Sequence, residues 1–233
     1  MELTKEMENI IFKDINQLLS PGPVALEAGI KRLENGMLHI AMRNVMYNCK
    51  GKMLDWWFTY FETTAHLKLW HPHDHVVHSG WDSKWIKNEN YIGATIHATE
   101  SLGNIPPVEA SIKFHDPAEI FNPDDLAKAY AHRDISAAIY GRIGFGKDTP
   151  KDHNGDPLDG YMIHVTRDTP QGCVLRSHFF LGALAADSDH PLPDEIGFGL
   201  MEHCYTEFTY LSHVLPSLYY AENTKGEKAP FLW

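Results

Sequence analysis

Apolar positions recur at helical spacing over residues 1–20 and again over residues 24–34, and Pro21-Gly22-Pro23 between them stops a helix and redirects the chain. This pattern predicts an N-terminal helical cover over residues 1–50. After the Lys50-Gly51-Lys52 turn, Asp55 is placed to cap a helix reaching about Leu69, on which Trp56, Trp57, Tyr60, Phe61 and Thr64 fall on one face. From Tyr91 the period changes to two. Tyr91–Glu100, Glu109–His115, Ser136–Phe145, Tyr161–Arg167 and Cys173–Leu181 carry β-branched and aromatic residues in alternation between Gly, Pro and Asp clusters, the signature of antiparallel strands. The connection Arg167-Asp168-Thr169-Pro170-Gln171-Gly172 suits a hairpin. Pro193-Asp194-Glu195 then opens a helix running to about Leu215, its acidic start matched to the helix dipole and Pro216 near its end. Helices, then strands, then a helix describe an α+β fold, in which a curved antiparallel sheet wraps the long C-terminal helix and encloses a cavity. Residues 51–233 form that domain, read with the cover as one structural unit.

Composition narrows the partners. The 233 residues include 43% hydrophobic and 22% charged, which is globular, and the net charge of −11 without any basic run makes nucleic acid a poor partner. No stretch approaches the length of a membrane span, and Glu2, Lys5, Glu6, Glu8, Lys13 and Asp14 interrupt the N-terminus, so neither a signal peptide nor a membrane segment is expected. Cys49, Cys173 and Cys204 form no CxxC pair, which fits a reducing compartment and a cytoplasmic location. Histidine is the outlier at 15 residues, and imidazole is the commonest metal ligand.

Histidine is densest in Trp70-His71-Pro72-His73-Asp74-His75-Val76-Val77-His78, where Pro72 fixes the backbone after His71 and predicts a turn. On the C-terminal helix, His203 and Glu207 are four residues apart and stack on one face. Each feature also has an ordinary reading, a solvated polar loop and a surface pair, but the apolar residues around the helical pair argue that it is buried and in need of a counter-ion. Glu100 continues the parity of Ile96 and Ala98 and points an acid towards the cavity, unless it simply ends a strand at solvent. In the last hairpin, Met162, His164 and Thr166 alternate with Tyr161, Ile163 and Val165, so one face is polar. His71, Glu100, His203 and Glu207 could thus converge on one divalent ion. Nitrogen and oxygen donors without thiolate suit zinc best, with iron(II) behind it, and a catalytic rather than a structural site.

The blocks Asp55-Trp56-Trp57-Phe58, Leu69-Trp70-His71-Pro72-His73-Asp74-His75, Arg176-Ser177-His178-Phe179-Phe180-Leu181-Gly182 and His203-x3-Glu207 together resemble the 2,4-diacetylphloroglucinol hydrolase and phloretin hydrolase family. The resemblance implies a Bet v 1-like helix-grip domain, a bound zinc ion and cleavage of the carbon–carbon bond between an acyl group and a polyphenol ring. It implies His71, Glu100, His203 and Glu207 as ligands, with Glu109 the alternative to Glu100, and His164 as the water-activating base. Asp74 and Phe179 stand where the family's diacetylphloroglucinol enzymes hold an asparagine and a tyrosine at the substrate, which implies a different acyl group or ring pattern. Tyr60, Tyr140 and Tyr161 are further candidates to meet the phenol, against the ordinary role of tyrosine as a packed aromatic. The expected partner is a small phenolic ketone, and the family suggests a homodimer. The competing function is a non-catalytic helix-grip carrier or sensor of phenolic ligands, and an iron(II) oxygenase is a third reading.

Overall fold

The computed structural model describes residues 5–186 and 188–224. Its frame is a single antiparallel sheet of eight strands: β1 (Gly29–Arg32), β2 (Leu38–Tyr47), β3 (His75–Trp81), β4 (Thr95–Leu102), β5 (Ile105–His115), β6 (Ala137–Phe145), β7 (Gly160–Thr169) and β8 (Gly172–Leu181). The strands lie in the order β1-β2-β8-β7-β6-β5-β4-β3, so the chain closes one end of the sheet with its first strands and the other with β3. Helix α5 (Asp194–Asn223) packs against β1 and β2 near one edge and β4 near the other, which requires the sheet to bend around it. This is the helix-grip arrangement expected from the sequence.

Strand alternation sorts side chains between two cores. The concave face presents Leu38, Ile40, Met162, Leu175 and Phe179 to Phe208 and Leu211 of α5. Helices α2 (Gly51–Tyr60) and α3 (Thr64–Trp70) close this side with Trp57, Phe58 and Trp70. The convex face presents Tyr161, Ile163, Val165 and Phe180, and these are covered by Ile11 and Leu18 from the N-terminal segment and by Leu126 and Ala129 of α4 (Pro123–His132).

Several elements differ from the sequence expectation for identifiable reasons. The N-terminal cover is real but short, with α1 (Lys5–Phe12) and a 3-10 turn at Ile15–Leu19. Residues 24–34 hold β1 rather than a helix, and β2 follows within the same region, so a boundary at residue 50 runs through the sheet. The first half of β2, Leu38–Ala41, is buried or half-buried on both parities, which blurs its period there, while Arg43, Val45 and Tyr47 stay exposed between the buried Asn44 and Met46. The aromatic helix is broken into α2 and α3 at Phe61–Thr63. Asp55 does not cap it: Asp55 lies inside α2 and accepts a hydrogen bond from the Tyr91 hydroxyl at 2.6 Å. Helix α5 passes through Pro216 instead of ending there. Proline removes the N–H that the Ser212 carbonyl would accept four residues earlier, and the buried Cys49 thiol donates to that carbonyl at 3.7 Å.

Candidate metal centre

Antiparallel register and helical periodicity together build the site. His75 opens β3 directly opposite Glu100 on β4, so their side chains share the concave face. His75 Nε2 lies 3.6 Å from Glu100 Oε1 and 3.7 Å from Glu207 Oε2. One turn of α5 separates His203 from Glu207, and His203 Nε2 is 3.8 Å from the same Oε2. Donor atoms of His75, His203 and Glu207 all fall within 4.8 Å of one another. Metal–ligand bonds of about 2.0–2.1 Å in a tetrahedron put neighbouring donors about 3.3–3.4 Å apart, so the 3.6–3.8 Å pairs lie within a few tenths of an ångström of that spacing.

Hydrogen bonds fix which nitrogen of each ring faces the site. The Leu67 carbonyl can only accept, so His75 Nδ1 donates to it at 2.9 Å and Nε2 is left as a bare donor atom. His203 Nδ1 likewise donates to the Asp74 carboxylate at 3.2 Å, leaving Nε2 towards Glu207. Anchoring the far N–H on a carbonyl or carboxylate is the arrangement that metal-bound imidazoles require.

Burial sets the electrostatics. It pushes the Glu207 carboxyl up to about 8, with Glu100 adding to the shift and His203 opposing it, and it also raises Glu100. Burial, and secondarily His203, lowers His75 to about 3. Burial also works against the His203 cation, but the Asp74 hydrogen bond and the Glu207 and Glu100 carboxylates outweigh it and raise His203. Carboxylates and imidazoles packed together out of water carry a cost that a divalent cation would relieve.

His71, expected as the turn ligand, is held differently. It follows the last residue of α3, and its Nδ1 accepts from the Asp74 backbone N–H at 3.0 Å. The proton is therefore on Nε2, which lies 3.5 Å from Asp74 Oδ2, and the ring stacks on His203 with centroids 4.7 Å apart. His71 falls with Asp74 and His203 in a second group whose donor atoms lie within 4.8 Å of one another, while the imidazole brought to Glu100 and Glu207 is His75. Glu109 is exposed on β5, so Glu100 is the strand acid at the cluster. Asp74 is engaged by His203, Ser101 and Gly103 and does not line the cavity.

A cavity of about 70 Å³ opens beside the cluster, walled by Phe58, Phe61, Trp70, Phe114, Met162 and Phe179, with His75, Glu100, His203 and Glu207 at its polar end. His164 lines it too, and burial lowers this imidazole to about 3, so it is neutral. Its Nδ1 is tied to the Ser177 hydroxyl at 2.8 Å across the β7–β8 pair, leaving Nε2 for a ligand. Phe179 lies edge-on to the His164 ring, centroids 5.6 Å apart. None of the three tyrosines expected at the substrate lines the cavity. Tyr161 has the opposite parity and packs on the convex face against Phe12, with Arg142 over its ring. Tyr140 is also in the convex core, and Tyr60 is stacked on Trp56 and His66. Sequence reasoning missed His75 and Ser177, although each sits directly across a strand pair from a residue it had singled out, Glu100 and His164.

Comparison with known proteins places the chain. The family model described as the DAPG hydrolase PhiG domain matches residues 10–220. The chain belongs to the DAPG hydrolase family. Among its curated relatives, a 2,4-diacetylphloroglucinol hydrolase of Pseudomonas protegens is 28% identical, over 89% of this chain and 72% of the relative. A phloretin hydrolase of Eubacterium ramulus is 22% identical, over 81% of this chain and 69% of the relative. Solved structures similar to this DAPG hydrolase family member include Ara h 8.0201, at 9% identity and TM-score 0.45 over 81% of this chain and 99% of that one. Protein NE0264 from Nitrosomonas europaea is 12% identical with TM-score 0.47, over 80% of this chain and 99% of that one. Among the described residues no helix is long and apolar enough to cross a membrane.

Proposed function

We propose that the protein is a zinc-dependent hydrolase that cleaves the carbon–carbon bond between an acyl group and a polyhydroxylated aromatic ring, of the acylphloroglucinol or phloretin type, in the cytoplasm. The observation that carries this reading is the meeting of His75, Glu100, His203 and Glu207 at the polar end of an aromatic cavity, in a chain whose relatives are named as hydrolases of such phenols. In this reading those four residues are the metal ligands. Two imidazole nitrogens and two carboxylate oxygens suit zinc. A zinc ion held there supplies Lewis acidity, polarising a ketone oxygen or acidifying a water.

The reaction consumes one water. Its oxygen bonds to the ketone carbon, the bond to the ring breaks, and the electron pair stays on the ring carbon, which then takes up a proton. His164 is neutral in its dry setting and so can accept a proton from water, and the Ser177 hydroxyl holds its ring in place. Its depressed basicity rises once water and an oxygen-rich ligand replace the apolar surroundings that cause the shift. Phe58, Phe114 and Phe179 exclude bulk water and offer flat faces to an aromatic ring. Phe179 provides no hydroxyl, so ring hydroxyls find their partners at the polar end of the cavity.

The test is metal content together with product release. Protein carrying one zinc per chain should release acetate from acetylated phloroglucinols, or phloretic acid from phloretin, and His203→Ala should lose both zinc and product. Stoichiometric binding of these phenols by metal-free protein, with no product by chromatography, would establish a carrier instead.

A further inference from the structure

We infer that Asp74 is a positioning residue whose carboxylate, accepting the His203 Nδ1–H, orients that imidazole as a metal ligand, and that it is not a group that meets the substrate. The inference rests on the metal site proposed above and assigns Asp74 a role within it.

Asp74 sits in the turn between α3 and β3, one residue before His75, so its backbone is fixed by the same turn that delivers a ligand. Its polar atoms are all engaged. The backbone N–H donates to His71 Nδ1 at 3.0 Å, and the carbonyl accepts from the Ser101 N–H at 2.9 Å. Oδ1 accepts from the Ser101 hydroxyl at 3.3 Å, and Oδ2 from the Gly103 N–H at 3.1 Å. Gly103 has a φ of +58°, the left-handed conformation that glycine takes at little cost, which lets the β4–β5 turn present its N–H to the carboxylate. Oδ2 also faces His203 Nδ1 at 3.2 Å and, further off, His71 Nε2 at 3.5 Å. These donors fix the carboxylate in place, aimed at the back of a buried imidazole.

The two imidazoles of the cluster are thereby unequal. His75 is anchored on a neutral carbonyl and His203 on a carboxylate, and a charge-assisted hydrogen bond is about twice as strong as a neutral one. His203 is the ring whose orientation and electron donation depend on a side chain that can be exchanged. His71 adds a second support, stacked on His203 at 17° between ring planes. The distances within His71, Asp74 and His203 also allow these three to be read as ligands of a second ion. That arrangement requires His203 to give up its Nδ1 proton while its Nε2 serves the first site, and the test below separates the two.

The experiment measures zinc affinity of the full chain by competition with a chromophoric chelator, for the wild type, Asp74→Asn and Asp74→Ala, with thermal melting of each metal-free protein alongside. The expected result is one zinc per wild-type chain and a zinc affinity weakened about 10–100-fold in Asp74→Asn, more in Asp74→Ala, as for other partners of metal-bound histidines. In ¹⁵N-labelled zinc-loaded protein, the His203 Nδ1 proton should resonate far downfield and move upfield in Asp74→Asn, a change that a loss of packing alone does not give. Unchanged zinc affinity in a folded Asp74→Asn, a raised KM for the phenol at unchanged zinc affinity, or two zinc ions per wild-type chain would overturn the inference. A wild type that binds no zinc would instead overturn the metal reading on which it rests.

Discussion

Replacing His75 and His71 by alanine, one at a time, separates the imidazole proposed as a ligand from its neighbour four residues away. At free zinc of 100 times the dissociation constant, binding stabilises the folded chain by about 2.7 kcal/mol. For a chain of this size each kcal/mol moves the melting temperature by about 2–4 °C, so zinc should raise the wild-type midpoint by roughly 5–11 °C. Loss of a direct ligand should cost at least the ~100-fold upper end seen for indirect partners. At the same free zinc the site would then be half filled, stabilisation would fall to about 0.4 kcal/mol, and the midpoint would rise by only about 1–2 °C. His71 has one nitrogen on the Asp74 N–H and the other beside the Asp74 carboxylate, so His71→Ala should keep most of the zinc-induced rise. The assay is a thermal melt of each variant with chelator and with buffered zinc, and the difference within each variant cancels the structural cost of the substitution. A zinc-induced rise that survives His75→Ala and vanishes in His71→Ala would refute the tautomer argument.

Three further outcomes follow from the same structure. His164→Gln should lower the rate of acyl release by about 10²–10⁴-fold at unchanged zinc affinity, while Ser177→Ala, which frees the ring without removing it, should cost less; single-turnover rates on zinc-loaded protein decide it. Phe208 is fully buried between α5 and the concave face, so Phe208→Ala should destabilise by about 3–5 kcal/mol in urea unfolding, and a loss under about 1 kcal/mol would contradict the packing described. His39 and His178 share a hydrogen bond of 2.8 Å on the convex face, and burial holds both below the ordinary histidine value of 6.5. The unfolded chain therefore binds protons there that the folded chain does not, so this part of the stability is complete above about pH 6.5 and is lost as the pH falls below it. The double variant His39→Gln, His178→Gln should flatten the acid side of a plot of urea midpoint against pH, and an unchanged slope would show that the pair is protonated without penalty.

How far the sequence could be read depended on whether a segment obeyed one period. Strands β4 to β8 were legible from β-branched and aromatic runs between Gly, Pro and Asp clusters, although β6, β7 and β8 are buried on both faces. The His203–Glu207 pair needed only helical geometry, and Glu100 only the parity of Ile96 and Ala98. Strand β3 was hidden because bulges between His75 and Val77 and between His78 and Gly80 break its period of two. That same concealment kept His75 out of the expected set: without β3, nothing shows which histidine of the cluster faces Glu100 across a strand pair. Tyr161 could not be assigned a face, since both faces of β7 are buried and only tertiary packing decides which carries the cavity. Asp55 fails as a cap because the helix already starts at Gly51, whose N–H donates to Asp168 from far along the chain, leaving Asp55 inside the helix with its carboxylate on Tyr91.

The most direct measurement is the fate of water oxygen. Zinc-loaded protein turned over on an acylated phloroglucinol or on phloretin in ¹⁸O-enriched water should release a carboxylic acid that has gained one labelled oxygen, together with an unlabelled phenol. Addition of a strong chelator should stop the release, and buffered zinc should restore it. Consumption of dioxygen, label in the phenol, or turnover indifferent to the chelator would contradict a zinc-dependent hydrolysis at His75, Glu100, His203 and Glu207.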